Sequence, residues 1–418
     1  MKSYFYFVLI CLLLFVGKQT QAQCPSGYVL LSTQAEVDAF AIDYPNCTEM
    51  AAMLDINGNN ITDLSPLNNL TSVYFGIKIE STQITSLAGL ENLEYVGSYF
   101  IIKNNSLLTS ISQLSNLNSV NISISFNNSL TSLEGLNNLT SSSGINIADN
   151  PSLTSISALS GITFISNHLL IVRNNSLTSL NGLNNLTNLD GSLVIGGNNS
   201  LTSLSGLDNL QSVAHYLDIL FNIQLTSIEA LNNLEAIWGS LSIQGNNSLT
   251  TLSGLSNLSY VEQISITQNE VLTDITALQN VNPAYILPDE FNGLYIVDNP
   301  ALSVCNLPNF CTYLQGPGAR IIDGNAGNCL NEQAVLNSCN LNIDSNEIST
   351  FQIYPNPVKD IVYFDQKVSQ ITVTDFSGKV LIQENDIINI DLSGFQRGIY
   401  LITLENDNQK QTKKIIKE

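Results

Sequence analysis

The chain has 418 residues, more than one ordinary globular core holds, so two or more units or a repeat array is the starting expectation. Only 12% of residues are charged and 44% are hydrophobic, which excludes a generally disordered chain and leaves material for a large core. The formal charge is −21, and between residues 23 and 350 the only basic side chains are Lys78, Lys103, Arg173 and Arg320, a balance that argues against nucleic acid or anionic lipid as partners.

The first element is a leader. Met1-Lys2, an apolar run from Tyr4 to Val16 and Gln19-Thr20-Gln21-Ala22 read as a signal peptide over 1–22, with cleavage after Ala22. The run is too short to remain as an anchor, so no membrane span is expected after its removal. Residues 23–52 read as an N-terminal cap, with Thr33-Gln34-Ala35-Glu36 as a capping box that opens a short helix through about Ile42. The mature chain holds Cys24, Cys47, Cys305, Cys311, Cys329 and Cys339, and an exported chain with an even count predicts disulfides. Cys24 is paired with Cys47; the last four allow three connectivities, among which the sequence does not choose.

Residues 53–304 are a repeat. Thr178-Ser179-Leu180-Asn181-Gly182-Leu183-Asn184-Asn185-Leu186 recurs at Thr202, Thr226 and Thr250. A register leucine runs through Leu67, Leu90, Leu114, Leu136, Leu159, Leu183, Leu207, Leu231, Leu255 and Leu278 at spacings of 22 to 24 residues. Each repeat holds a short alternating stretch such as Leu193-Val194-Ile195 or Leu217-Asp218-Ile219, the strand period. Its Leu-x-x-Leu-x-x-Leu part, spaced by three, suits coil or short 3₁₀ turns better than α-helix. The fold expected is all-β: a parallel β-helix-like solenoid of about eleven 22–24-residue turns with disulfide-bonded caps.

A structural asparagine ladder closes the strands at Asn104, Asn127, Asn150, Asn174, Asn198, Asn222, Asn246, Asn269 and Asn299, continuing an earlier Asn59 with Thr82 as the exception. A second column runs two residues past the register leucine, from Asn69 to Asn280. Turn-capping explains both better than ligand binding. The pattern Gly191-Ser192-Leu193-Val194-Ile195-Gly196-Gly197-Asn198-Asn199-Ser200-Leu201-Thr202-Ser203-Leu204, with the entry Asn46-Cys47-Thr48 and Met53-Leu54-Asp55-Ile56, resembles the receptor L-domain family. The resemblance spans roughly residues 24–340. It implies a right-handed β-helix related to leucine-rich repeats, usually used for binding rather than catalysis.

Residues 305–340 read as a disulfide-rich C-terminal cap and 341–350 as a polar linker. Residues 351–418 alternate into turns at Ser377-Gly378 and Ser393-Gly394, the pattern of a small antiparallel β-sandwich. Tyr354, Pro355, Asn356 and Pro357 at its start, Gly378 and Lys379 in a turn, Gly398 and Tyr400 in a strand, and Lys414 and Lys417 in a basic tail resemble the type A sorting domain of the type IX secretion system. That resemblance implies passage through the periplasm, engagement of the type IX machinery by residues 351–418, and release or surface attachment of the rest.

No nucleophile–base grouping, metal-spaced cluster or phosphate loop emerges, so no catalytic, cofactor or metal residues are assigned and no enzyme activity is expected. The outward strand residues Ile101, Leu170, Val172, Val194 and Leu220 form the candidate ligand surface. A corner with Tyr99, His168, Tyr216 and Trp238, beside the insertion Pro283 to Gly293, is a second candidate. The function expected is recognition or adhesion toward a protein or glycan. A structural spacer of the cell-surface layer and a β-helix polysaccharide-degrading enzyme are the alternatives.

Overall fold

A computed structural model describes residues 24–287, 293–341, 352–375, 378–406 and 409–418. The leader expected at 1–22 and nearly all of the linker at 341–350 lie outside the described residues. The chain divides after Cys339 into two units, taken separately here.

The first unit is built on a 15-stranded sheet in which every pairing is parallel. Each strand pairs with its equivalent one repeat later. Leu193–Gly196 sits against Leu217–Leu220, and these against Leu241–Gln244. Side chains of one type are thereby piled at the interstrand distance of about 4.8 Å. Alternation sends Leu193, Leu217 and Leu241 inward in one column and Ile195, Ile219 and Ile243 in the next, all fully buried.

The leucines spaced by three supply the opposite wall. Leu204, Leu207, Leu210 and Val213 are buried, as are their equivalents in the other repeats, and together these columns form one continuous core. Between them the backbone takes one of two paths. Where the sequence reads Ile-x-Ala-Leu the chain makes a 3₁₀ turn, as at Ser157–Gly161, Glu229–Leu231 and Thr276–Asn280. In most repeats that read Leu-x-Gly-Leu the glycine adopts positive φ, +121° at Gly182 and +113° at Gly206, although Leu252-Ser253-Gly254-Leu255 makes a 3₁₀ turn. A Cβ on Gly206 would lie 2.1 Å from the Leu180 carbonyl oxygen, so this path requires glycine.

Both ends of the unit carry helices and disulfides. Helix α1 (Gln34–Asp43) opens on Thr33 with a full capping box to Glu36, and Cys24 is bonded to Cys47. At the other end Cys305 is bonded to Cys329, and Cys311 of helix α2 (Pro308–Leu314) to Cys339 of helix α3 (Glu332–Leu341).

The second unit corrects the expectation of a sandwich. It is a single five-stranded antiparallel sheet. The long strand Ile361–Thr374 pairs with Val380–Asp391 along one edge and with Ile353–Tyr354 and then Gly398–Asn406 along the other. A register break between Tyr363 and Val368 lets it bend, so one sheet curls over its own core of Val362, Phe364, Ile371, Leu392, Ile402 and Ile415. No second layer is needed to cover that face.

Candidate binding surface

The asparagine column is internal. The backbone N–H of Asn174 donates to Asn198 Oδ1 at 3.0 Å, and Asn198 Nδ2 donates to the Ile171 carbonyl at 2.8 Å. The same pattern links Asn127, Asn150, Asn222, Asn246, Asn269 and Asn299, all buried. Each asparagine satisfies an amide and a carbonyl that the bend would bury unpaired. The residue before it bends left-handed, with φ from 54° to 69° at eleven positions from Ser81 to Gly324.

Three positions need correction. Asn104 is one of these left-handed, exposed residues, and its side chain donates to Ser81 Oγ; the ladder member is Asn105. Asn59 is exposed and stands outside the column, whereas Thr82 stands in it, donating to Asn105 Oδ1. Asn325 also belongs, accepting from the Asn299 N–H at 3.0 Å. The signal that finds both Asn105 and Asn325 is an offset of three from the second inward strand residue, Ile102 and Ile322. In the outer column each asparagine donates Nδ2 to a carbonyl of the preceding repeat, as Asn209 does to Asn184 at 2.7 Å.

With asparagine internal, the side chains that the sheet presents to solvent are those of its outward face. One outward column reads Asp55, Lys78, Ile101, Ser123, Asn146, Leu170, Val194, Asp218, Ser242 and Ser265. Its neighbour reads Glu80, Lys103, Ser125, Ala148, Val172, Gly196, Leu220, Gln244 and Thr267. Leu170, Val172, Val194 and Leu220 are therefore contiguous, all half-buried. Ile101 is set apart from them across a depression of about 490 Å³ lined by Ser123, Asn146 and Ala148, with Leu170 and Val172 on the far side.

Charge on this face is uneven. Asp55 accepts from Tyr28 Oη at 2.6 Å, and Lys78 lies 3.9 Å from it. Lys78 also meets Glu80, which pairs with Lys103 at 3.4 Å. The bond to Glu80 holds Lys78 above the usual ammonium range, and Lys78 holds Glu80 below the carboxylate range. On the bend, Arg173 forks onto both oxygens of Asp149 at 2.6 Å. Asp218 is different: among the described residues its carboxylate has no hydrogen-bond or ionic partner, and burial pushes its pKa up to about 6.

The second candidate divides. Tyr99, His168 and Tyr216 belong to a third column, just ahead of the strands, with His168 registered against Gly144 and Ser192. Trp238 lies elsewhere, its ring 4.4 Å from that of Tyr260, which is 4.6 Å from that of Tyr285. Trp238 and Tyr285 are 54% and 45% exposed, so the three rings form a surface shelf; the sequence reading set Trp238 beside the insertion that holds Tyr285 and missed Tyr260 between them. No group of three or more His, Cys, Asp or Glu side chains is placed to hold a metal, and no helix is long and apolar enough to cross a membrane, among the described residues.

In the C-terminal unit the first and last motifs meet. Asn356 Nδ2 donates to the Lys414 carbonyl, and Asn356 Oδ1 accepts from the Ile416 N–H, both at 2.9 Å. The prolines flanking Asn356 follow cis peptide bonds, and Tyr354 stacks on Tyr363. Asp375 closes the turn before Gly378, its carboxylate accepting from the Lys379 N–H. Tyr400 donates to the Gln396 carbonyl and meets Phe395 edge-on. Gly398 is registered against Lys417, which is largely buried, while Lys414 is exposed.

No curated protein matches the chain. Among solved structures, the functional domain of InlJ from Listeria monocytogenes, which includes a cysteine ladder, aligns over 90% of this chain and 82% of its own at 13% identity and a TM-score of 0.21. Residues 352–418 match the family described as Secretion system C-terminal sorting domain, so the C-terminal unit is a sorting segment that marks the chain for export to the cell surface or beyond.

Proposed function

We propose that the repeat unit is a recognition or adhesion module, displayed or released by the type IX machinery, that takes its ligand on the outward face of the parallel sheet. On this reading the sheet is one wall of a right-handed solenoid of about eleven turns, and the module carries out no reaction. The supporting observation is the contiguous aliphatic patch of Leu170, Val172, Val194 and Leu220 on an exposed sheet face. Apolar surface gathered in this way favours contact with a partner. The test changes Leu170, Val194 and Leu220 together to Ser and measures adhesion of exported chain to host cells, and capture on protein and glycan arrays. Loss of adhesion with unchanged circular dichroism is expected; intact adhesion ends the proposal. Arrays that capture nothing favour the spacer, and polysaccharide turnover favours the enzyme.

The ring shelf of Trp238, Tyr260 and Tyr285 supports a second reading, a glycan contact, because exposed flat rings stack on sugar faces. Trp238→Ala removing glycan-array binding without affecting protein capture would favour it.

A further inference from the structure

The centre of the sheet face carries a feature that the aliphatic patch does not explain. Gly196 stands between Val172 and Leu220 in its column and is buried between them; a Cβ built there would meet the Leu220 carbonyl oxygen at 3.6 Å and the side chains of Leu220 and Val172 at 3.8 and 3.9 Å, so the absent side chain leaves a shallow notch flanked by two aliphatic side chains. Asp218 is on the next strand, registered against Val194, and is the diagonal neighbour of that notch. Such neighbours are about 7–8 Å apart, the span of a long basic side chain.

The carboxylate is isolated in every direction. On its own strand the outward side chains are Tyr216 and Leu220. The preceding strand presents Ser192, Val194 and Gly196, and the following one Ser240, Ser242 and Gln244. Tyr216 is the single other titratable group among these. Of the other acids on the face and its bend, Asp55 is answered by Tyr28 and Lys78, Glu80 by Lys78 and Lys103, and Asp149 by Arg173; Asp298 and Asp323, near the far end, are exposed to water, whereas Asp218 is half-buried.

We propose that Asp218 and the Gly196 notch anchor a lysine or arginine side chain of an extended protein segment lying on the sheet face, a role that rests on this face being the binding surface. The chemistry selects that occupant. Aliphatic walls accept a methylene stem, and a half-buried lone carboxylate gains most from a cation brought to it in a charge-assisted hydrogen bond. A neutral glycan supplies no cation. Because the half-buried carboxylate ionises only above about pH 6, capture weakens on acidification through that range.

The test prints extended octapeptides alternating Val with Lys, Arg, norleucine or Glu and probes them with the full exported chain in 0.2 M salt. The wild-type chain is expected to prefer Lys and Arg peptides over norleucine by about tenfold at pH 7.5 and to lose that preference at pH 5. Asp218→Asn abolishes the preference but keeps norleucine binding, whereas Glu229→Gln, an exposed acid away from the face, leaves it intact. A preference that survives Asp218→Asn, or that falls equally with Glu229→Gln, overturns the proposal, as does failure to bind any peptide. Norleucine binding that persists in the triple Ser variant refutes instead the placement of the surface. Glycan capture by the face, unaffected by Asp218→Asn, also overturns it.

Discussion

Asn198→Ala tests the internal column directly. The change removes the acceptor for the Asn174 N–H, bonded at 3.0 Å, and the donor for the Ile171 carbonyl, bonded at 2.8 Å. Both orphans are buried, and each costs about 1–3 kcal/mol. The contact from Asn198 Nδ2 to Asn222 Oδ1, at 3.3 Å, is cheap to lose because that oxygen keeps the Asn198 N–H at 3.0 Å. The expected loss is therefore about 2–6 kcal/mol from one side chain. Asn199, the next residue, is exposed, and Asn199→Ala should fall within about 0.5 kcal/mol of wild type. Urea unfolding of the exported chain, followed by fluorescence of Trp238, the only tryptophan, reports on this unit alone. Equal midpoints for the two variants would falsify the account of the column as obligatory backbone pairing. Asn198→Asp sharpens the test, since it keeps the acceptor but points a carboxylate oxygen at the Ile171 carbonyl; it should be at least as damaging at pH 7.

Other expectations follow from the same geometry. Gly206→Ala should destabilise the repeat unit by about 2–4 kcal/mol through positive φ and contact with the Leu180 carbonyl, while Gly196→Ala, free of both, should be neutral or slightly stabilising; urea midpoints decide. Replacing Cys305 and Cys329 by Ser opens a loop with a sequence separation of 24 and should cost about 3–4 kcal/mol, read by thermal unfolding with and without reductant. Asp218 has its folded pKa raised above the unfolded value, so the folded state binds the extra proton between about pH 4 and 6, and stability falls as pH rises through that window. Asp218→Asn should remove this slope, matching wild type near pH 4 and exceeding it at pH 7 by about 1–2 kcal/mol after allowance for partial exposure; a slope that survives the substitution would contradict the assignment.

The inward half of each repeat was readable because burial leaves it few choices. Leucines at a spacing of three and isoleucines in alternation place Leu183, Leu207, Ile195 and Ile219 inside without reference to anything distant. The ladder was misplaced by one at Asn104 because two asparagines adjoin there and either suits the bend: asparagine tolerates the left-handed conformation that the exposed one adopts, and its amide serves equally for the buried role. The sandwich expectation failed for a different reason. Turn signals mark where strands end, but they do not say that the single strand Ile361–Thr374 serves three neighbours and curls.

Outward positions carry no such constraint, and there the sequence names side chains without fixing their neighbours. The repeat register set Trp238 beside the insertion that holds Tyr285, but nothing in the spacing singled out Tyr260, whose ring lies between them. Nor does composition distinguish Asp218 from Asp55, which sits in the same column. What distinguishes them is the company that stacking gives them: a lysine one strand away for Asp55, and valine and serine on either side for Asp218. A regular stack fixes neighbours as well as it fixes the core. On the proposal made for Asp218, the charge left unanswered among valine and serine is the one that a basic side chain of the ligand would answer.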